Sequence, residues 1–333
     1  MSSNSTEAAL IAILAAITTQ INRYLPIGIF FFGIIGNLLN CLALSQRTLL
    51  SNSCSLLFLA SSIASLITLI DGVGVRFLTG WSADLTATND ILCQIRFFFL
   101  STSRTVAFWL IALAIIDRWL LSSINVHRRQ MSTLKNTQRG IIFVIILSSL
   151  VYVQYFYCFV AIPIDYPITC YGRSILCRLI HNLEFALLSV LIPSLLMIIF
   201  GLMTIHNVHK SALRQVQPII ATSSTQTTVA NERSARMKKI DHQLLIMLCV
   251  QTTLVILFSL PQACYSIYTV ITQYDINSPL TNAIDTLLLN VFILFSYVTN
   301  GMPFYVYTLS GGTVYRKALF DRLQEFSRMI ICR

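Results

Sequence analysis

The chain has 333 residues, of which 56% are hydrophobic and only 11% charged, and its formal net charge is +10. Soluble domains carry roughly 25% charged residues, so this composition excludes an ordinary water-soluble globule and calls for a surface facing lipid. The positive excess requires no nucleic acid, because basic loops lying on an anionic membrane account for it.

A membrane-crossing helix needs about 20 predominantly apolar residues. Runs of that kind fall at 25–45, 54–75, 91–121, 140–162, 179–205, 240–271 and 283–309, seven in all. The expected fold is therefore an all-α membrane protein: a seven-transmembrane helix bundle with a short amphipathic C-terminal helix. Residues 1–24 are expected as an extracellular N-terminal tail, 25–309 as the seven-transmembrane domain and 310–333 as a cytoplasmic tail. The first run is read as a retained span, since no short h-region with small-residue cleavage chemistry precedes it; apolar residues 8–17 leave a signal peptide as the lesser alternative. Asn4-Ser5-Thr6 is a glycosylation sequon on that tail.

Orientation follows from the basic residues of the loops. Residues 122–139 carry Arg128, Arg129, Lys135 and Arg139; the next loop on that side carries Lys210, Arg214, Arg233, Arg236, Lys238 and Lys239. The opposite loops hold Arg76, Arg96, Arg173 and Arg178, offset by Asp84, Asp90, Asp165 and Asp275. The N-terminus is thus expected outside. Within the loop 206–239, the polar run Ala221 to Thr228 cannot bury enough apolar surface to fold, and it offers either acceptor hydroxyls for receptor kinases, with arrestin recruited to the phosphates, or a solvated spacer. Past Gly311-Gly312, Val314, Leu319, Leu323, Phe326 and Ile330 recur at helical spacing beside Arg316, Lys317 and Arg322, the pattern of a helix lying on the inner leaflet, with Cys332 as a palmitoylation candidate.

Nine cysteines do not form a disulfide framework here. Cys41, Cys54, Cys158, Cys249 and Cys264 fall within spans and are expected to pack as small apolar side chains. Cys93 faces the oxidising side with Cys170 or Cys177; Cys170 is the favoured partner, as Cys177 sits closer to the start of helix five. At the inner end of span three stands Asp117-Arg118-Trp119, which by itself reads equally as a basic flank.

Taken in order, several residues resemble the rhodopsin-like family of G protein-coupled receptors across all seven spans. Gly36-Asn37 looks like that family's span-one pair, Trp81 its first outer-loop tryptophan, Cys93 its helix-three cysteine and Asp117-Arg118-Trp119 its Asp-Arg-Tyr. Pro193 and Pro261 resemble the prolines of helices five and six, and Tyr307 the tyrosine ending helix seven. The resemblance implies a two-state switch in which Arg118 pairs with Asp117 and with Asp241, twenty residues before Pro261, until activation frees it to meet a heterotrimeric G protein.

The chain also departs from that pattern. Ser65 stands where helix two of the family carries its sodium-binding Asp, Ser259 replaces the tryptophan two residues before Pro261, helix four has no tryptophan, and Pro303 precedes Tyr307 by four residues instead of three. With Asp241-His242-Gln243-Leu244 and Tyr305-Val306-Tyr307-Thr308-Leu309, these departures resemble a divergent invertebrate branch similar to FMRFamide-type peptide receptors.

Two ligand classes can be set aside. All five lysines lie outside the spans, so no buried amine is available for a retinal Schiff base. Leu100, seven residues after Cys93, stands where the family's amine receptors carry Asp. One turn further in, Arg104 lies in the polar run Ser101-Thr102-Ser103-Arg104-Thr105 at membrane depth; it is expected either to pair with Asp71 or to touch ligand directly. Gln262, Tyr265 and Tyr297 are candidate cavity walls or packing residues. The expectation is a plasma-membrane receptor, neither an enzyme nor dependent on a cofactor, that senses an extracellular ligand, a neuropeptide, and activates a heterotrimeric G protein. A non-signalling decoy and a chemosensory receptor for a small molecule remain the alternatives.

Overall fold

The computed structural model describes residues 2–81, 86, 88–161, 170–215, 228–274, 278–310 and 312–331, without the side chains of 2–5, 48, 211–215, 228–242, 312–314, 326, 327 and 329–331. Seven helices are long and apolar enough to cross a membrane: α1 (Thr6–Leu44), α2 (Ser53–Gly80), α3 (Asp90–Ser122), α4 (Leu134–Cys158), α5 (Ile175–Lys210), α6 (Gln243–Ile271) and α7 (Pro279–Gly301). The short α8 (Pro303–Ser310) and the longer α9 (Gly312–Ile331) follow. The protein is an all-α seven-helix bundle, and α3 is its most enclosed member.

Short polar side chains set several helix starts by accepting the first free backbone N–H groups. Asn52 accepts from Cys54 and Ser55, Asn89 from Ile91 and Leu92, Thr133 from Asn136, Ser174 from Cys177 and Ser278 from Thr281, where Pro279 opens the helix without needing a donor. Around α3 the core is built by Phe108, Leu110, Met197, Met247, Leu248 and Val255 among others. Outward-facing Phe32, Phe143, Leu150 and Leu202 stand exposed, the inverse of a soluble surface and the arrangement that suits lipid.

Helix ends differ from the apolar runs in several places. The first helix reaches back to Ser2, so residues assigned to a tail continue α1; within it the Thr18 and Thr19 hydroxyls donate back to the carbonyls of Leu14 and Ala15. Helix two carries a π-turn at Leu69–Gly74 before resuming as Val75–Gly80, and helix five carries another at Phe185–Leu191, just ahead of Pro193. Helix seven ends at Gly301 and restarts at Pro303, which lacks the N–H needed to continue. At that break the backbone of α7 meets α1 closely: a Cβ on Gly301 would lie 3.2 Å from the Gly33 Cα.

Outside the helices, β1 (Phe159–Ala161) pairs antiparallel with β2 (Cys170–Gly172), with Val160 opposite Tyr171. The hairpin is fastened to α3 by the Cys93–Cys170 disulfide, by the Ala161 N–H donating to Asp90 at 2.7 Å and by Gln94 donating to the Phe159 carbonyl at 3.1 Å. A second disulfide, Cys158–Cys177, corrects the expectation that Cys158 is a buried apolar filler. Helix four ends at Cys158 itself, so the thiol lies where the chain turns into β1, with its Cα 5.3 Å from that of Cys177.

At the other end, α9 docks through Tyr315 and Ala318, both buried, while Phe320 and Leu323 remain exposed. Tyr315 donates to Asn40 at 2.7 Å, Asn40 bonds Ser62 in turn, and Arg322 reaches the Ser45 carbonyl at 2.9 Å. Burial pushes the Tyr315 phenol up from its ordinary value. Asn4, Cys332 and the Thr222–Thr228 hydroxyls, all singled out in the sequence, lie outside the described residues or side chains.

Candidate functional site: an outer cavity and an inner ion pair

At the hairpin end, the helices open into a cavity of about 570 Å³. Its walls include Leu100, Arg104, Gln262, Tyr265 and Tyr297, five of the six residues expected to line a ligand site. The sixth, Asp71, is not among them. No ion pair joins it to Arg104; its main-chain carbonyl accepts from Arg96 Nε at 3.2 Å. The physical reason lies in the π-turn, whose wider winding changes the phase of helix two just where Asp71 sits.

Arg104 is only 6% exposed. Its guanidinium lies 4.6 Å from the Tyr297 ring centroid and 5.3 Å from that of Phe185, and neither its Nε nor its Nη2 has a hydrogen-bond partner. Tyr297 reaches this position because Gly72 has no side chain; a Cβ there would lie 2.4 Å from the Tyr297 ring. Two members of the neighbouring polar run are bonded within the bundle, whereas the buried Thr102 hydroxyl has no partner. Ser103 bonds Thr68 at 2.9 Å, and Thr105 bonds Tyr152 at 2.8 Å and Ser189 at 2.6 Å.

Arg76, Arg96 and Arg178, expected in the outer loops, belong instead to helices and line the cavity. Arg76 donates to Asn22 at 3.1 Å and to Asn290 at 2.9 Å, tying α1, α2 and α7. Arg178 donates to the Tyr171 hydroxyl at 3.0 Å. His181, also on the wall, shares a hydrogen bond of 2.8 Å with Tyr155. Gln262 is buried with its Oε1 unsatisfied, and Tyr265 donates to the Asp285 carbonyl at 3.1 Å.

Fourteen residues along α3 from Arg104, about 21 Å at 1.5 Å per residue, stands Arg118. It is 4% exposed, pairs with Asp117 at 2.8 Å and donates to Asn52 at 3.2 Å. Ser132, just past the short inner helix Val126–Met131, donates to the other Asp117 oxygen. A buried guanidinium cannot shed its proton, so this pairing holds the charge in place. The expected second partner, Asp241, is on the continuous helix Thr228–Ile271, but its side chain lies outside those described.

Between the two ends runs a buried polar seam. Asn37 donates to the Asn300 carbonyl at 2.8 Å, Ser65 bonds the Asn300 side chain at 3.4 Å, and Ser259 bonds Thr299 at 3.3 Å. Tyr307 is buried, packs 4.7 Å from Phe58 and donates to Gln251. Among the described residues, no group of three His, Cys, Asp or Glu side chains is placed to hold a metal ion.

Compared with known proteins, the chain matches no family model and no curated protein.

Proposed function

We propose that this multi-pass membrane protein is a receptor of the rhodopsin-like G protein-coupled class, sited in the plasma membrane with its N-terminus outside. An extracellular ligand, a neuropeptide in this reading, enters the outer cavity. A heterotrimeric G protein meets the inner end of α3 and the loops 122–139 and 206–240, and kinases and arrestin act on the Thr222–Thr228 run. The observation that carries the reading is one helix with two buried arginines: Arg104 faces a cavity at one end of α3, and Arg118 is locked to Asp117 near the other. A ligand that prefers one arrangement of α3 thereby biases whether Arg118 is held or released.

A decoy receptor is the second reading. Ser259, small and bonded to Thr299 of α7, occupies the place where the family carries a bulky toggle tryptophan, and α7 breaks at Met302 before Pro303. Both features alter how motion at the cavity would reach the inner end.

The test is peptide-stimulated G protein activation in cells expressing the chain, beside Arg118→Ala at equal surface level. The receptor reading expects a signal that falls at least tenfold in the variant. A peptide response of equal size in both proteins would refute the switch, and silence across a broad panel of peptides and G proteins would favour the decoy.

A further inference from the structure

The cavity wall is electrostatically one-sided. Arg76, Arg96, Arg104 and Arg178 line it, and among the described residues no Asp or Glu does. Arg76, Arg96 and Arg178 each spend hydrogen bonds on protein partners: Asn22 and Asn290 for the first, the Asp71 carbonyl and Thr86 for the second, Tyr171 for the third. Arg104 differs. It is more than nine-tenths buried, two of its three nitrogens have no hydrogen-bond partner, and it is held between the Tyr297 and Phe185 rings.

Burying a cation without a counter-charge is costly, and arginine cannot escape the cost by deprotonating. Ring faces compensate only in part, because a quadrupole is weaker than a full opposite charge. Arg104 lines the cavity, and a guanidinium carries the planar fork that oxyanions fit. The volume of about 570 Å³ suits a small molecule or the end of a peptide. Leu100, Phe97 and Phe185 supply apolar wall beside the charge.

We infer that the outer cavity selects an anionic ligand, whose carboxylate or other oxyanion group pairs with Arg104 while its apolar body rests on Leu100, Phe97 and Phe185. This deepens the proposed receptor function and rests on reading the same cavity as the ligand site. Arg76 and Arg96 add to the positive field that draws the anion in, whereas Arg104 supplies the direct contact. An acidic peptide terminus and a small organic acid share this chemistry with a phosphate ester, and simple probes separate the carboxylate from the phosphate source.

The experiment is thermal unfolding of the full chain in lipid nanodiscs with benzoate, benzamide or phenylphosphate at equal ionic strength, which involves no G protein and so fails or succeeds independently of coupling. Benzoate or phenylphosphate is expected to raise Tm by roughly 2–4 °C in a saturable way, while neutral benzamide, of nearly the same shape, leaves it unchanged. The larger of the two shifts assigns the source, carboxylate or phosphate. Arg104→Gln is expected to abolish the shift, and Arg104→Lys, which keeps the charge and loses the fork, to retain a smaller one. Equal shifts with benzoate and benzamide, no shift with either anion, or an anion shift that survives Arg104→Gln would overturn the assignment.

Discussion

Arg104 and Arg118 are chemically identical and nearly equally buried, yet their surroundings give them different work. Arg118 has a carboxylate at 2.8 Å and is held still; Arg104 has two aromatic rings beside it and two nitrogens with no partner. That contrast could not be read from sequence, where both appear as arginines near apolar residues and Asp71 looked like a partner for the first. What removes Asp71 is the π-turn, a backbone feature with no residue signature. Gly72 within that turn has a sharper consequence. A Cβ there would meet the Tyr297 ring at 2.4 Å, so Gly72→Ala must push the ring off Arg104. The expected cost is about 1–3 kcal/mol of stability, read as a lower melting temperature in nanodiscs, together with loss of the anion-dependent shift. A variant that melts like wild type and keeps the shift would show that Tyr297 does not depend on this contact.

Among the elements, spanning helices were the most legible, because lipid forces every backbone N–H and C=O to be satisfied within an unbroken apolar run. Their ends were not. Arg76 stands next to a run boundary and reads as a flanking charge, but α2 continues through Val75–Gly80; Arg96 lies inside its own run, and only the packing of α3 puts it in the cavity wall. Cys158 was misread for the same reason, since its apolar neighbourhood concealed a helix end. The two disulfides now bracket the hairpin, closing sequence separations of 77 and 19 residues. Chain-entropy reasoning gives the shorter bridge up to about 3 kcal/mol. A Cys158→Ser/Cys177→Ser protein is therefore expected to melt lower than wild type and to be less sensitive to reductant. An unchanged melting curve would mean that the hairpin is held by the Cys93–Cys170 bridge and the Asp90 and Gln94 hydrogen bonds alone.

For the whole molecule, an outer cavity and an inner ion pair share one helix, and the polar seam through Asn37, Ser65, Asn300 and Ser259 lies among its neighbours. Packed bundles respond to such paired sites by switching between discrete arrangements, not by bending gradually. Legibility was uneven at this scale too: the seven-fold count came from composition, and the inner Asp117-Arg118 pair from adjacent residues, whereas the four arginines of the cavity come from three helices, α2, α3 and α5, brought together. The most direct test of the account is agonist-free nucleotide exchange on a panel of G proteins by wild type, Asp117→Asn and Arg118→Ala at equal protein level in one assay. If the ion pair is the lock, Asp117→Asn should exceed wild type several-fold and Arg118→Ala should fall below it. Exchange that is the same for all three proteins, with a panel member shown to respond to this chain, would contradict the account.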